Sequence, residues 1–208
     1  MLVLSNTNTP PQASKYLITQ TLLSSWQWGL TSESFFADFE KTLRREAPPA
    51  TKAQLDGQRY ENVLNAVLDG ESIPEDHEWY RPITEMSGIL RGAQKQVKLS
   101  RDINIDGINL VLYGILDFLK AGTIYDCKFS GTYHVGKYLK SPQHPMYFDL
   151  VPESDVFKYL ISDGKYVYTE TYYREDAEPI AKRIERFLNW LDKAKLLDTY
   201  FEKWKSLY

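Results

Sequence analysis

The feature that most constrains this chain is a pair of apolar segments separated by one short turn. They are Asn109 to Leu119 (NLVLYGILDFL) and Thr123 to Phe129 (TIYDCKF), joined through Lys120-Ala121-Gly122. Runs rich in branched and aromatic residues, bounded by a glycine turn, read as a β-hairpin. In TIYDCKF the side chains alternate, so Tyr125, Cys127 and Phe129 form one face and Ile124, Asp126 and Lys128 the other. Asp117 is the anomaly, because it stands between large apolar residues in YGILDFL. A buried carboxylate with no partner is costly, so a metal ion or a cationic neighbour must compensate it. Across the hairpin Asp117 and Asp126 can converge, with Lys128 one pleat away. Two like charges held together are unfavourable without a cation between them. A hard divalent ion, which prefers carboxylate oxygens, makes the arrangement sensible. An Asp-x-Lys match alone more often marks a solvated strand face. Here the setting of Asp117, the glycine turn and the alternation argue for chemistry.

The rest of the chain supplies helices and further strands around this hairpin. Tyr16 to Trp28 reads as a short helix ended by Gly29. Ser34 to Arg45 reads as a second, broken by Pro48 and Pro49, with Phe35, Phe36 and Phe39 at helical spacing. Thr51 to Leu68 reads as a longer helix with Leu64, Val67 and Leu68 as its apolar stripe. Residues 71–82 read as an acidic, proline-bearing loop and residues 1–14 as a polar lead-in. Gln94 to Ile105 is a strand candidate. Pro142 to Leu150 reads as a short helix with Ser141 as N-cap. Val156 to Ile161 and Lys165 to Tyr173 read as a hairpin across Asp163-Gly164. Glu178 to Tyr208 reads as helical, with Ile180, Ile184, Phe187, Leu188 and Leu191 on one face. The expected fold is therefore α/β, a central mixed sheet flanked by helices. It forms one domain over residues 1–208, with N-terminal helices at 15–70, a core at 94–175 and C-terminal helices at 177–208.

Composition narrows the chemistry. The net charge of −3 argues against passive coating of nucleic acid. Clustered carboxylates bias that total downward, and a bound Mg²⁺ would reverse their local sign. The single cysteine, Cys127, leaves no intrachain disulfide and no multi-cysteine zinc or iron–sulfur site, which fits a reducing cytoplasm. The opening MLVLSNTNTPPQ lacks a basic region followed by an apolar run, so no signal peptide is expected. No apolar run approaches the length of a membrane span.

At GILD followed by DCK the sequence resembles the PD-(D/E)XK nuclease superfamily. QHPMY is similar to the Q-x-x-x-Y motif of its RecB-like and lambda-type (phage) exonuclease branch, at Gln143 and Tyr147. GQRYENVL resembles that branch's upstream glycine-to-acid helix motif, at Gly57 and Glu61, and LITQTLLSSWQW its opening helix. The order and spacing agree over most of residues 16–175. The resemblance implies a restriction-endonuclease-like core and metal-dependent hydrolysis of DNA phosphodiesters, with exonucleolytic cleavage in recombination or end processing. It implies that Asp117, Asp126 and the backbone carbonyl of Cys127 bind Mg²⁺ or Mn²⁺, and that Glu61 completes the shell. Lys128 would orient the attacking water and offset charge on the phosphate. Gln143 and Tyr147 share one helix face and would reach the bound strand or the lysine. Some members hold an iron–sulfur cluster with four cysteines. Here three partners are missing and Gly29 stands near the place of the fourth, so no cluster is expected.

Other residues carry two readings. Glu61 alone is an ordinary helix residue, and Gln143 and Tyr147 alone are a capped, packed helix. Lys137 and Lys140 precede the Q-x-x-x-Y helix and are candidate phosphate contacts. The other basic groups, at 41–45 and 91–101, read as solvated surface. His134 and His144 are further candidates for phosphate contact, and Tyr166, Tyr168, Tyr172 and Tyr173 for base stacking. Candidate partners are DNA, further copies of the chain in a ring, and a single-strand annealing protein or helicase, in a cytoplasmic setting of viral, prophage or bacterial origin. Two rivals stand beside this reading. One is a catalytically silent nuclease fold that binds DNA or protein, and the other is an endonuclease of the same superfamily.

Overall fold

In the computed structural model, which describes residues 14–46 and 50–207, the apolar run around Leu112 becomes the longest strand, β3 (Ile108–Lys120). Every other strand is placed by reference to it. Before it come β1 (Tyr16–Thr19), α1 (Gln20–Gly29), α2 (Glu33–Leu43), α3 (Lys52–Leu68), α4 (Tyr80–Leu90) and β2 (Gln94–Ile105). After it come β4 (Thr123–Phe129), α5 (Gln143–Leu150), β5 (Val156–Ser162), β6 (Val167–Tyr173), α6 (Ile180–Lys193) and α7 (Leu197–Lys203). The protein is an α/β fold with a mixed six-stranded sheet flanked by helices, as the sequence indicated.

β2 lies antiparallel along one edge of β3 for nearly its whole length. The other edge of β3 is shared. β1 pairs parallel with Leu110–Tyr113, and β4 pairs antiparallel with Phe118–Lys120. Between these two stretches the edge of β3 carries no strand, and that gap becomes the site. β4 then pairs parallel with β5, and β5 antiparallel with β6. The β3–β4 turn is tight because Ala121 and Gly122 both adopt positive φ, 47° and 75°, the backbone of a two-residue turn matched to strand twist.

The central strands of the sheet are covered on both faces. One is covered by α1, α5 and α6, with Leu22, Trp26, Phe148, Ile184, Phe187 and Leu191 packed on Leu112, Leu116 and Phe157. The other is covered by α3 and α4, with Tyr60, Leu64, Ile83 and Met86 packed on Phe118 and Leu160. The alternation read in TIYDCKF holds: Ile124 joins the first cluster, while Tyr125, Cys127 and Phe129 pack against the second. The five apolar positions read on the last helix are all buried.

Several expectations are corrected. Residues 16–19 form a strand rather than the first turn of a helix, with Thr19 capping α1 through its side chain. Residues 80–90 are helical, overlapping the expected loop at 71–82. The C-terminal helix is two helices, divided where Lys195 takes a φ of 61°. Asp163-Gly164 is not a two-residue turn. The Asp163 carboxylate accepts the N–H groups of Lys165 and Tyr166, both at 2.8 Å, and β6 starts only at Val167. The roles read for Pro48, Pro49 and the lead-in through residue 13 lie outside the described residues.

Candidate active site

The site forms where β3 and β4 part. Their ladder covers only Lys120↔Thr123, Leu119↔Ile124 and Phe118↔Tyr125. The next residues on each side are Asp117 and Asp126. In place of a backbone partner, the Cys127 N–H donates to Asp117 Oδ2 at 3.2 Å. The N–H and C=O of one strand residue point to the same edge, so the Cys127 carbonyl is directed into the same fork. The β2–β3 ladder is interrupted at the same level. Its register runs Val97↔Leu116 and Lys95↔Phe118 but omits the pair between Gln96 and Asp117, and Gln96 sits at a φ of 51°. Across this break the inward face of β3 switches: Leu116 belongs to one core cluster and Phe118 to the other.

Asp126 is almost fully buried, 2% exposed, on the face toward α5. Its Oδ1 accepts a hydrogen bond from the Gln143 side-chain amide. Its Oδ2 stands 2.7 Å from Lys128 Nζ, an ion pair. That oxygen is buried, and the lysine is what compensates its charge. Burial pushes the Asp117 carboxyl well above the usual carboxylate range, and the neighbouring Asp126 charge adds to this while Lys128 opposes it. Burial alone would lower the Lys128 ammonium. The charges of Asp126 and Asp117 outweigh it and hold the lysine above its ordinary value.

Glu61 projects from α3, half-buried, and its charge also opposes ionisation of Asp117. The sequence-selected acids and lysine therefore do meet in one electrostatic neighbourhood. The donors are hard oxygens, and the neighbourhood holds more carboxylates than ammonium groups. That chemistry suits a divalent cation. As the side chains stand, among the described residues no three acidic, histidine or cysteine groups are gathered closely enough to grip an ion.

α5 braces the fork from below. Gln143 and Tyr147, read as strand or lysine contacts, are both buried and turned on the protein itself. Gln143 holds Asp126, and Tyr147 Oη donates to the Ile115 carbonyl at 2.8 Å, inside the stretch of β3 that is paired with β2 alone. His144 is likewise no surface contact. It is 5% exposed and stacked on Tyr172 at 4.3 Å. Desolvation, with Arg183 nearby, depresses its imidazole to about 4 from 6.5. The unfolded chain therefore takes up this proton first, and stability should fall as pH drops from 6.5 toward 4. By pH about 4.5 the loss should reach roughly 2–3 kcal/mol. His144→Phe, which keeps the stack, should flatten that dependence, as read by urea midpoints at neutral and acidic pH. An unchanged slope would assign the acid sensitivity elsewhere.

A cavity of about 1290 Å³ opens beside the fork between α1, the 136–143 segment and α6. Lys128 and Gln143, the two partners of Asp126, line it, as do Lys137 and Lys140. Its wall is fixed by Glu170 on β6, which accepts from Tyr133 Oη at 3.0 Å, Gly136 N at 2.8 Å and Tyr172 Oη at 2.5 Å. Sequence reading missed Glu170, Trp28, Arg186 and Lys193, because only the fold brings α1 and α6 to this wall. The other basic groups are largely spent in surface ion pairs: Lys41 with Asp38, Arg44 with Glu40, Lys95 with Asp69 and Arg101 with Asp149.

No known protein family and no curated protein matches the sequence. In structure the chain matches sixteen solved chains, among them the crystal structure of SSO0001. That likeness has a TM-score of 0.51 at 15% identity, over 86% of this chain and 77% of the other, and speaks to the fold alone. Among the described residues no helix is long and apolar enough to cross a membrane.

Proposed function

We propose that the protein is a divalent-metal-dependent DNA nuclease of the PD-(D/E)XK type, acting on DNA ends. One observation carries the reading: Asp117 and Asp126 flank the point where β3 and β4 separate, with Lys128 paired to the second of them. Asp117, Asp126, the Cys127 carbonyl and Glu61 would hold Mg²⁺ or Mn²⁺. When bound, the ion supplies a Lewis acid for the phosphate and lowers the pKa of water. Gln143 fixes the Asp126 carboxylate from α5. Lys128, whose side chain keeps 32% of its surface exposed, presents a full positive charge to a phosphodiester entering from the cavity. Such preplaced charge stabilises the anionic transition state.

This reading places the enzyme in recombination or end processing, with an annealing protein or helicase and further copies of the chain as partners, in a cytoplasm of viral or bacterial origin. The direct test is degradation of linear duplex and single-stranded DNA with Mg²⁺, with Mn²⁺ and with chelator, using Asp117→Asn as control. Metal-dependent loss of linear DNA that disappears in the variant is expected. Cleavage of closed circles at the same rate would replace the exonuclease with an endonuclease. Absence of cleavage under every metal would leave a silent nuclease fold.

A further inference from the structure

The cavity beside the fork has a composition that the chemistry of cleavage does not require. Five cations line it, Lys128, Lys137, Lys140, Arg186 and Lys193, and no carboxylate does, although the whole chain carries a net charge of −3. Arg186 is committed to Glu178 through two hydrogen bonds, and Lys137 donates to Ser130. Among the described residues Lys140 and Lys193 make no ion pair, so both ammonium groups are available to an anion. Trp28, also on the lining, is 63% exposed, an unusual state for the largest apolar ring. At about 1290 Å³ the cavity exceeds the roughly 300–1,000 Å³ of small-molecule pockets.

We infer that this cleft binds a single strand of DNA, one base stacked on Trp28 and the backbone held by Lys140 and Lys193, so that the strand leads to Lys128. The inference deepens the nuclease reading and rests on it for the choice of DNA. A duplex hides its base faces in its own stack and would leave Trp28 bare. A single strand offers both phosphates and base faces, and a cationic groove with aromatic platforms is the surface that binds it. The two partners of Asp126 line the same cleft, which ties its occupant to phosphodiester chemistry rather than to an acidic peptide.

The test is fluorescence anisotropy with a labelled oligothymidylate and a duplex of equal length, on the full chain, with chelator present so that no cleavage occurs. The single strand should bind at least about tenfold more tightly than the duplex. Trp28→Ala should weaken it by about tenfold, with Trp28→Phe recovering part of the loss. Lys140→Ala combined with Lys193→Ala should reduce the log–log salt slope by about 1.4. All three side chains are exposed, and unchanged melting temperatures would establish that the variants fold. Equal affinity for duplex and single strand, or full affinity in Trp28→Ala, overturns the inference whether or not the protein cleaves DNA. Selective, Trp28-dependent binding by a protein that cleaves nothing with any metal would uphold this inference and sink the nuclease reading alone.

Discussion

Asp126→Asn should reduce DNA cleavage by on the order of a thousandfold while leaving the fold intact. The substitution keeps the shape of the side chain and an amide oxygen that can still accept from Gln143. It removes the charge that Lys128 meets at 2.7 Å and one of the two strand carboxylates at the fork. Losing a charged oxygen ligand from a hydrolytic metal site removes stabilisation that acts only in the transition state, worth several kcal/mol. Folding should suffer far less, because opposing electrostatic effects offset one another. Asp117 loses a like-charged neighbour, a relief, while Lys128 loses its partner but is exposed enough to reach water. Cleavage rate and melting temperature should therefore separate in one preparation. A variant retaining more than about a tenth of wild-type activity would remove Asp126 from the chemistry. A variant that fails to fold would show that the ion pair holds the structure instead.

The β3–β4 hairpin was legible because its signals are local. Apolar runs, a glycine turn and a two-residue alternation lie within residues 109–129, and the structure keeps all three. The pairing of Asp117 with Asp126 followed from hairpin register alone. The opening of the ladder did not, because YGILDFL is apolar on both faces and carries no phase mark. The switch between Leu116 and Phe118 coincides with a break in the neighbouring strand at Gln96, remote in sequence. α4 escaped notice because Pro82, Ser87 and Gly88 are poor helix formers. Its helicity is justified by burial of Ile83, Met86 and Leu90 against the sheet, a tertiary cause. β1 is only four residues long and runs straight into α1, so no turn announces it. Its partner is remote, at Leu110–Tyr113. The cleft was the least legible feature, since Trp28, Lys140 and Lys193 meet only after folding.

Gly114→Ala should destabilise the protein by about 2–3 kcal/mol, a large cost for adding one methyl group. Gly114 lies in the stretch of β3 that pairs with β2 alone, packed against α5. A Cβ there would meet Tyr147 Cε1 at 2.6 Å and Leu150 Cδ1 at 3.0 Å. The ring cannot simply swing aside, because it is 3% exposed and its hydroxyl is bonded to the Ile115 carbonyl at 2.8 Å. The helix must lift, or the hydrogen bond must break. Gln143 sits one turn earlier on the same helix and holds Asp126, so lifting α5 would also slacken the carboxylate that the proposed reaction needs. Stability and activity should consequently fall together, unlike in Asp126→Asn, where they part. Tyr147→Leu in the Gly114→Ala background should recover part of the stability by vacating the contested space, giving a coupling of about 1 kcal/mol or more in a double-mutant cycle. It should not recover activity in proportion, because the brace on Ile115 is gone. Strict additivity of the two changes would mean that glycine is kept at 114 for a reason other than the approach of the tyrosine ring.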